Sequence, residues 1–239
     1  MSERYENLDF ENGNDRFIKA KNEELREKYP TIPLLTQHWI LCGQTMSGKS
    51  YLLKQYLYND MAGVYDKVYW FCPTWEEENY KDLFSDIDKD EVFEEFTEED
   101  MMKVFKECKD NFNSHDGDFH SLVILDDVGK VFREYQSFIN ELWRCRHYSC
   151  TIIASLQDVK GMTLDARSQF VCWSLWTNTS DETADRIGEA TPIGKKKTKK
   201  LIDGVRKHLD STGERGFLYI NKEFGGKAML NFDNFIELE

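Results

Sequence analysis

Eight residues, Gly43-Gln44-Thr45-Met46-Ser47-Gly48-Lys49-Ser50, carry the spacing G-x-x-x-x-G-K-[ST], whose chemistry can be stated atom by atom. Glycine at both ends lets the backbone curl with its N–H groups inward, so that the loop wraps a phosphate chain. The helix that follows presents its N-terminal dipole to the same anion. In that arrangement Lys49 reaches the β and γ phosphates, Ser50 holds Mg²⁺, and residues 43 to 51, ending at Tyr51, form the nucleotide-binding segment. The bland alternative is a glycine-containing turn with a solvated lysine. Context disfavours it, because the apolar run Trp39-Ile40-Leu41-Cys42 precedes the motif and Leu52, Leu53, Tyr56 and Leu57 follow it as a plausible helix.

A phosphate cradle needs carboxylates to become a hydrolase. Ser121 to Asp127, SLVILDD, is a run of aliphatics ending in two of them. Asp126, at the carboxyl end of such a strand, can reach the Mg²⁺ shell shared with Ser50, and Asp127, projecting differently, can orient and activate the attacking water. Ser149 to Gln157, SCTIIASLQ, is a further strand ending in a polar residue. In the P-loop branch with an extra strand between those carrying the two motifs, a residue at that exit touches the γ-phosphate or the water, so Gln157 is the expected sensor. Its alternative is a solvent-facing glutamine. Arg144, Arg146 and Arg167 are candidates for an arginine supplied to a neighbouring subunit, each also readable as an ordinary surface arginine.

The elements that must position these groups follow from pattern. Apolar runs at 39–42, 67–72 (KVYWFC), 121–127, 149–157 and 170–176 read as strands, and the absence of alternation marks them as buried on both faces of a parallel sheet. Helical spacing recurs between them, with Phe138, Ile139, Leu142 and Trp143 on one helix, a capping box at Thr97-Glu98-Glu99-Asp100 opening another, and a short helix near 183–188. The alternation argues for a three-layer α/β/α sandwich with a mostly parallel sheet. A hairpin is expected where 216–220 and 227–233 flank Gly225-Gly226. Residues 1–36, closed by Pro30 and Pro33, read as an N-terminal arm, and 37–239 as a single domain.

The net charge of -13 at first argues against a nucleic-acid partner. Its distribution reverses that argument. Between Glu76 and Asp100 thirteen carboxylates face two lysines, so the rest of the chain is nearly neutral. This segment is expected as an acidic insertion, a solvated face. Conversely Lys195, Lys196, Lys197, Lys199 and Lys200 follow Gly194 in a run expected as a basic loop, either simply solvated or gripping DNA phosphates without reading sequence. The six cysteines form no C-x-x-C pair and fall mostly within or beside apolar runs, which implies a reducing compartment. The polar start MSERYENLDF lacks signal-peptide character, and no apolar run is long enough for a bilayer, so a soluble intracellular protein is expected.

Taken together, GQTMSGKS, SLVILDD and ELWRCRHYSCTIIASLQD, followed by Leu164 and Arg167, resemble the poxvirus-type genome-packaging ATPases of large DNA viruses, within the FtsK–HerA superfamily of P-loop NTPases. The pair Arg146-His147 ahead of a strand ending in Gln157-Asp158 is the most family-specific part. The resemblance spans roughly 39–176. It implies a homo-oligomeric ring that hydrolyses ATP with Mg²⁺ to push double-stranded DNA into a preformed capsid, docked on a capsid or portal vertex protein. It further implies action in the host cytoplasm or virus factory, or association with the virion. Carried over by position, Lys49 and Ser50 bind phosphate and Mg²⁺, Asp126 serves Mg²⁺, and Gln157 is the sensor. Asp127 stands where many members of the superfamily have Glu, and a shorter base must approach its water more closely. Other readings are a nucleotide-kinase-type phosphotransferase, disfavoured by lysines where an arginine-rich lid is usual, a plasmid or transposon DNA translocase, and an ATP-binding switch.

Overall fold

The computed structural model describes residues 13–76, 83–129, 131–225 and 227–236. At its centre β1 (Trp39–Cys42) lies between β5 (Cys150–Leu156) and β6 (Cys172–Trp176), parallel to both. Outward from β5 come β4 (Ser121–Asp126), β2 (Lys67–Phe71) and β3 (Val92–Phe93), all parallel. Beyond β6 the direction reverses, and β7 (Phe217–Asn221), β8 (Ala228–Leu230) and β9 (Asn234–Ile236) close the nine-stranded order β3-β2-β4-β5-β1-β6-β7-β8-β9. Every residue of β1, β4, β5 and β6 is buried, as continuous apolar runs require when helices cover both faces.

The extra strand expected between the two motif strands is β5, inserted between β1 and β4. Two polar contacts inside this core help fix its register. Trp39 Nε1 donates to Ser174 Oγ at 3.1 Å, and the buried His38 accepts from the backbone N–H of Ile152 through Nδ1 at 3.1 Å.

Helices occupy the connections: α1 (Gly13–Lys28), α2 (Lys49–Gln55, prolonged by a wider turn through Asp60), α3 (Glu98–Ser114), α4 (Val131–Glu134), α5 (Gln136–Arg144), α6 (Leu164–Ser168), α7 (Asp181–Ala190) and α8 (Lys195–Thr212). The capping box is real, with Thr97 Oγ1 accepting from the Asp100 N–H at 3.0 Å. The arm packs closely on the body. Ile18 and Leu25 of α1 and the following Ile32, Leu34 and Leu35 are buried, and Asn22 both donates to Leu35 O and accepts from Leu35 N at 3.0 Å.

Two expectations are corrected and a third is extended. The acidic segment is more than an insertion, because its apolar residues build the sheet edge. Phe84 packs on Trp70 with centroids 4.4 Å apart, Phe93 stacks on Phe71 at 4.5 Å, and Val92–Phe93 pair with β2. Its positions 77–82 lie outside the described residues. The basic run is helix, not loop: it forms the first turns of α8, anchored by the buried Thr198, Leu201, Ile202, Val205 and Leu209, which share one face at helical spacing. The expected C-terminal hairpin is present as β7 and β8, and β9 extends it to a three-stranded meander, with Asn231 bonding back to Phe217 at the turn.

Candidate active site

The loop from Gly43 to Gly48 leaves β1 at its carboxyl end and enters α2, and its shape is imposed by its glycines. A Cβ on Gly43 would lie 2.8 Å from Ser47 Oγ and 2.9 Å from Trp176 Cβ, and Gly48 holds φ at 105° in the left-handed region. No side chain caps α2, so the N–H groups of its first turn face the loop's concavity. Lys49 folds back into the same concavity, donating to Gly43 O at 2.7 Å and Gln44 O at 3.1 Å. At the tip Met46 adopts φ 62° and is 95% exposed, so the loop opens to solvent there.

Asp126 and Asp127 separate as the sequence suggests, and the structure supplies the reason. Asp126 is the last residue of β4, buried, opposite Ser155 in the β5 register. Asp127 swings into φ 56°, which Asp tolerates, while its N–H is held by Ser155 O at 2.9 Å, and its carboxylate leaves the strand for the surface. There Gln157 Nε2 donates to Asp127 Oδ2 at 2.8 Å. The residues expected as base and sensor thus meet across adjacent strand ends. They line a cleft of about 320 Å³ whose rim also carries Arg133 and Lys160, two cations that sequence reading did not single out. Lys160 pairs with Glu182 at 3.3 Å. Hard oxygen donors suit Mg²⁺, and the Ser50 hydroxyl with the buried Asp126 carboxylate is that kind of set.

A second wall comes from residues distant in sequence. Asn178 Oδ1 accepts from the Gln44 N–H at 3.3 Å, and Thr179 Oγ1 donates to Cys42 O at 3.3 Å, so the segment after β6 fastens the phosphate loop from below. Trp176, with Arg215, Asn231, Phe232 and Asp233, faces Ser47, Gly48 and Tyr51 across a cleft of about 500 Å³. Tyr51 is 72% exposed on this side. Aromatic surface next to a phosphate loop is the chemistry that receives a nucleobase. Burial pushes the Cys42 thiol up to about 12, which makes it a packing group and not a nucleophile.

The arginines fall into different places. Arg167 is buried: it donates to Met162 O at 2.9 Å and pairs with Glu189 at 3.0 Å, and burial lowers its pKa. It braces α6 against α7 and does not reach a surface from which it could enter a neighbour, which corrects its expected catalytic role. Arg144 is 71% exposed and pairs with Glu141 at 3.3 Å. Arg146 is exposed in the turn Cys145–Tyr148 that precedes β5, at the end of the sheet away from this chain's own phosphate loop, a β5 length or roughly 23 Å distant. The five lysines open α8, and none of them lines either cleft at the site. Lys195 pairs with Glu189 at 2.5 Å and Lys199 with Asp185 at 2.9 Å, which raises the Lys199 pKa, whereas Lys196, Lys197 and Lys200 are exposed.

Comparisons with known proteins agree with this architecture. The profile of the Poxvirus A32 protein family matches residues 28–223, most of the chain. Among curated proteins none matches. Among solved structures, the genome packaging NTPase B204 from Sulfolobus turreted icosahedral virus 2, in complex with AMP, superposes with a TM-score of 0.59 at 16% identity, covering 82% of this chain and 96% of its own. The same protein in complex with ATP-gammaS gives 0.58 at 16% identity, covering 82% and 96%. B204, the DNA-packaging ATPase from Sulfolobus Turreted Icosahedral Virus, gives 0.57 at 16% identity, covering 82% and 97%. At this identity the likeness is one of fold.

Proposed function

This chain belongs to the Poxvirus A32 protein family, and from that premise we propose that it is an ATP-driven motor that translocates double-stranded DNA to package a viral genome into a preformed capsid. The observation that carries the reading is the Asp127–Gln157 hydrogen bond at the mouth of a cleft beside the phosphate loop. A carboxylate held by an amide at the surface, one residue from a buried carboxylate, suits water activation.

In this reading the γ-phosphorus is attacked by water, its bond to the β,γ-bridging oxygen breaks, and ADP leaves with those electrons. Asp127 takes the water's proton and Gln157 orients the water. Lys49 and the loop N–H groups hold the phosphate oxygens as charge shifts to the leaving group. Ser50 and Asp126 would hold Mg²⁺, which when bound neutralises phosphate charge. The base lies in the cleft between Tyr51 and the Phe232 side of the meander. Arg146, displaced from its own chain's site, is the arginine best placed to enter that of an adjacent subunit in a ring. Lys196, Lys197 and Lys200 hold DNA phosphates without sequence preference, reinforced by the uncapped N-terminus of α8. The ring docks on a capsid vertex protein and acts where capsids fill, inside the host cell; no helix among the described residues is long and apolar enough to cross a membrane.

The test is the ATPase rate of the full chain with and without duplex DNA, alongside its assembly size with nucleotide. Stimulation by DNA and a closed oligomer are expected. Phosphate appearing on a small acceptor instead would establish a phosphotransferase and overturn the proposal.

A further inference from the structure

Four consecutive residues from the end of β6 divide between the phosphate loop and α8. Trp176 packs under Gly43, Asn178 accepts from the Gln44 N–H, and Thr179 donates to Cys42 O, so three of the four hold the phosphate loop. The fourth faces the other way. Thr177 O accepts from both Nε and Nη2 of Arg206, at 3.0 and 2.9 Å, and Arg206 Nη1 is steadied by Asp203 Oδ1 at 2.9 Å. Arg206 lies on α8, eleven residues beyond Lys195, so the basic end of that helix is about 16 Å away along its axis.

We propose that Arg206 is a positioning residue that couples the phosphate loop to the lysine-bearing end of α8. A guanidinium forked on one carbonyl fixes direction as well as distance. The carbonyl belongs to a segment tied to the loop on both sides of it. A shift of Gln44 or Gly43 when phosphates enter therefore moves Thr177, and Arg206 passes the shift to a stiff helix whose other end carries Lys196, Lys197 and Lys200. Coupling through contiguous contacts is reciprocal in binding, so the same link makes DNA on α8 tighten or loosen the hold on nucleotide. The inference rests on the motor reading, in which DNA is what those lysines meet.

The experiment compares the full chain with Arg206→Ala, Arg206→Lys and, as a charge control on the next residue, the exposed Lys207→Ala. Two quantities are read: the stimulation of ATPase by duplex DNA, and the ratio of duplex affinities with and without ATP-gammaS. Arg206→Ala is expected to keep basal ATPase within about twofold while its stimulation drops at least fivefold and its affinity ratio collapses toward one. Arg206→Lys, which retains charge and stem but not the fork, is expected to fall between, and Lys207→Ala to behave as the unaltered chain. Stimulation in both Arg206 variants equal to that of the unaltered chain, or the same loss in Lys207→Ala, overturns the coupling alone. If the unaltered chain is not stimulated by DNA at all, the motor reading itself falls.

Discussion

Two helices in this protein start the same way and do different things. Both α2 and α8 follow a glycine with positive φ, 105° at Gly48 and 79° at Gly194, both lack a side-chain cap, and both begin with lysine. At Gly48 a loop pinned by Asn178, Thr179 and Trp176 closes around the helix end, and Lys49 is folded inward onto its carbonyls. At Gly194 a Cβ would meet nothing within 4 Å, Lys195 and Lys199 are tied to Glu189 and Asp185, and Lys196, Lys197 and Lys200 are exposed. The same local chemistry thus yields a shaped site for one anion and a patch for a polyanion. Closure makes the difference, and closure comes from residues more than 130 positions away.

The comparison breaks most severely at Lys49. Lys49→Ala is expected to lower ATP turnover by about 10²–10³-fold or more, since it removes a charge aimed at the transferring phosphate inside a closed site. ATP hydrolysis retained at the original rate would remove the distinction between the two helix starts. Next is Gly43→Ala, whose methyl would collide with Ser47 and Trp176. It should weaken nucleotide binding about 5–150-fold, read by calorimetry, on the scale of about 1–3 kcal/mol of overpacking. Gln157→Ala should leave nucleotide affinity near its original value and lower kcat about 10–100-fold, because it releases Asp127 and loosens the water's orientation. At the open helix the effects are of another kind. Neutralising Lys196, Lys197 and Lys200 together should spare basal ATPase and lower the salt slope of duplex binding by about three, one per phosphate contact. Smallest is Thr198→Ala, which removes a buried hydroxyl bonded to Gly194 O at 2.9 Å and should cost about 1 kcal/mol, or a fall in Tm of roughly 2–4 °C.

What could be read before the structure follows the same division. The phosphate loop, Asp126, Asp127 and Gln157 were legible because each sits at the end of a short apolar strand, and strand order only had to bring those ends together. The wall at Trp176–Thr179 was not, since nothing local marks Asn178 as a partner of Gln44. The strand β3 was hidden because Val92-Phe93 is too short for a period and lies among carboxylates. The start of α8 was misread for a different reason: five lysines draw attention to charge, while the signal lay in Thr198, Leu201, Ile202, Val205 and Leu209 at helical spacing. Arg167 looked like an exposed candidate because sequence does not reveal that Glu189 and Met162 O enclose it.

The central place of β1 also sets a timetable. Among the described strands it is the first to be synthesised, yet its neighbours are β5 and β6, and Trp39 pairs with Ile153 on one side and Cys172 on the other. At typical synthesis rates of 5–20 residues per second, the run WILC waits roughly 7–26 s for both flanks, longer than any other strand of the parallel set waits for its partners. During that interval Gly43–Ser50 lacks the contacts that Trp176, Asn178 and Thr179 later supply. The closed phosphate loop is therefore completed late, and the window in which a nascent chain is most exposed to pairing with its own copies falls before residue 176 is made.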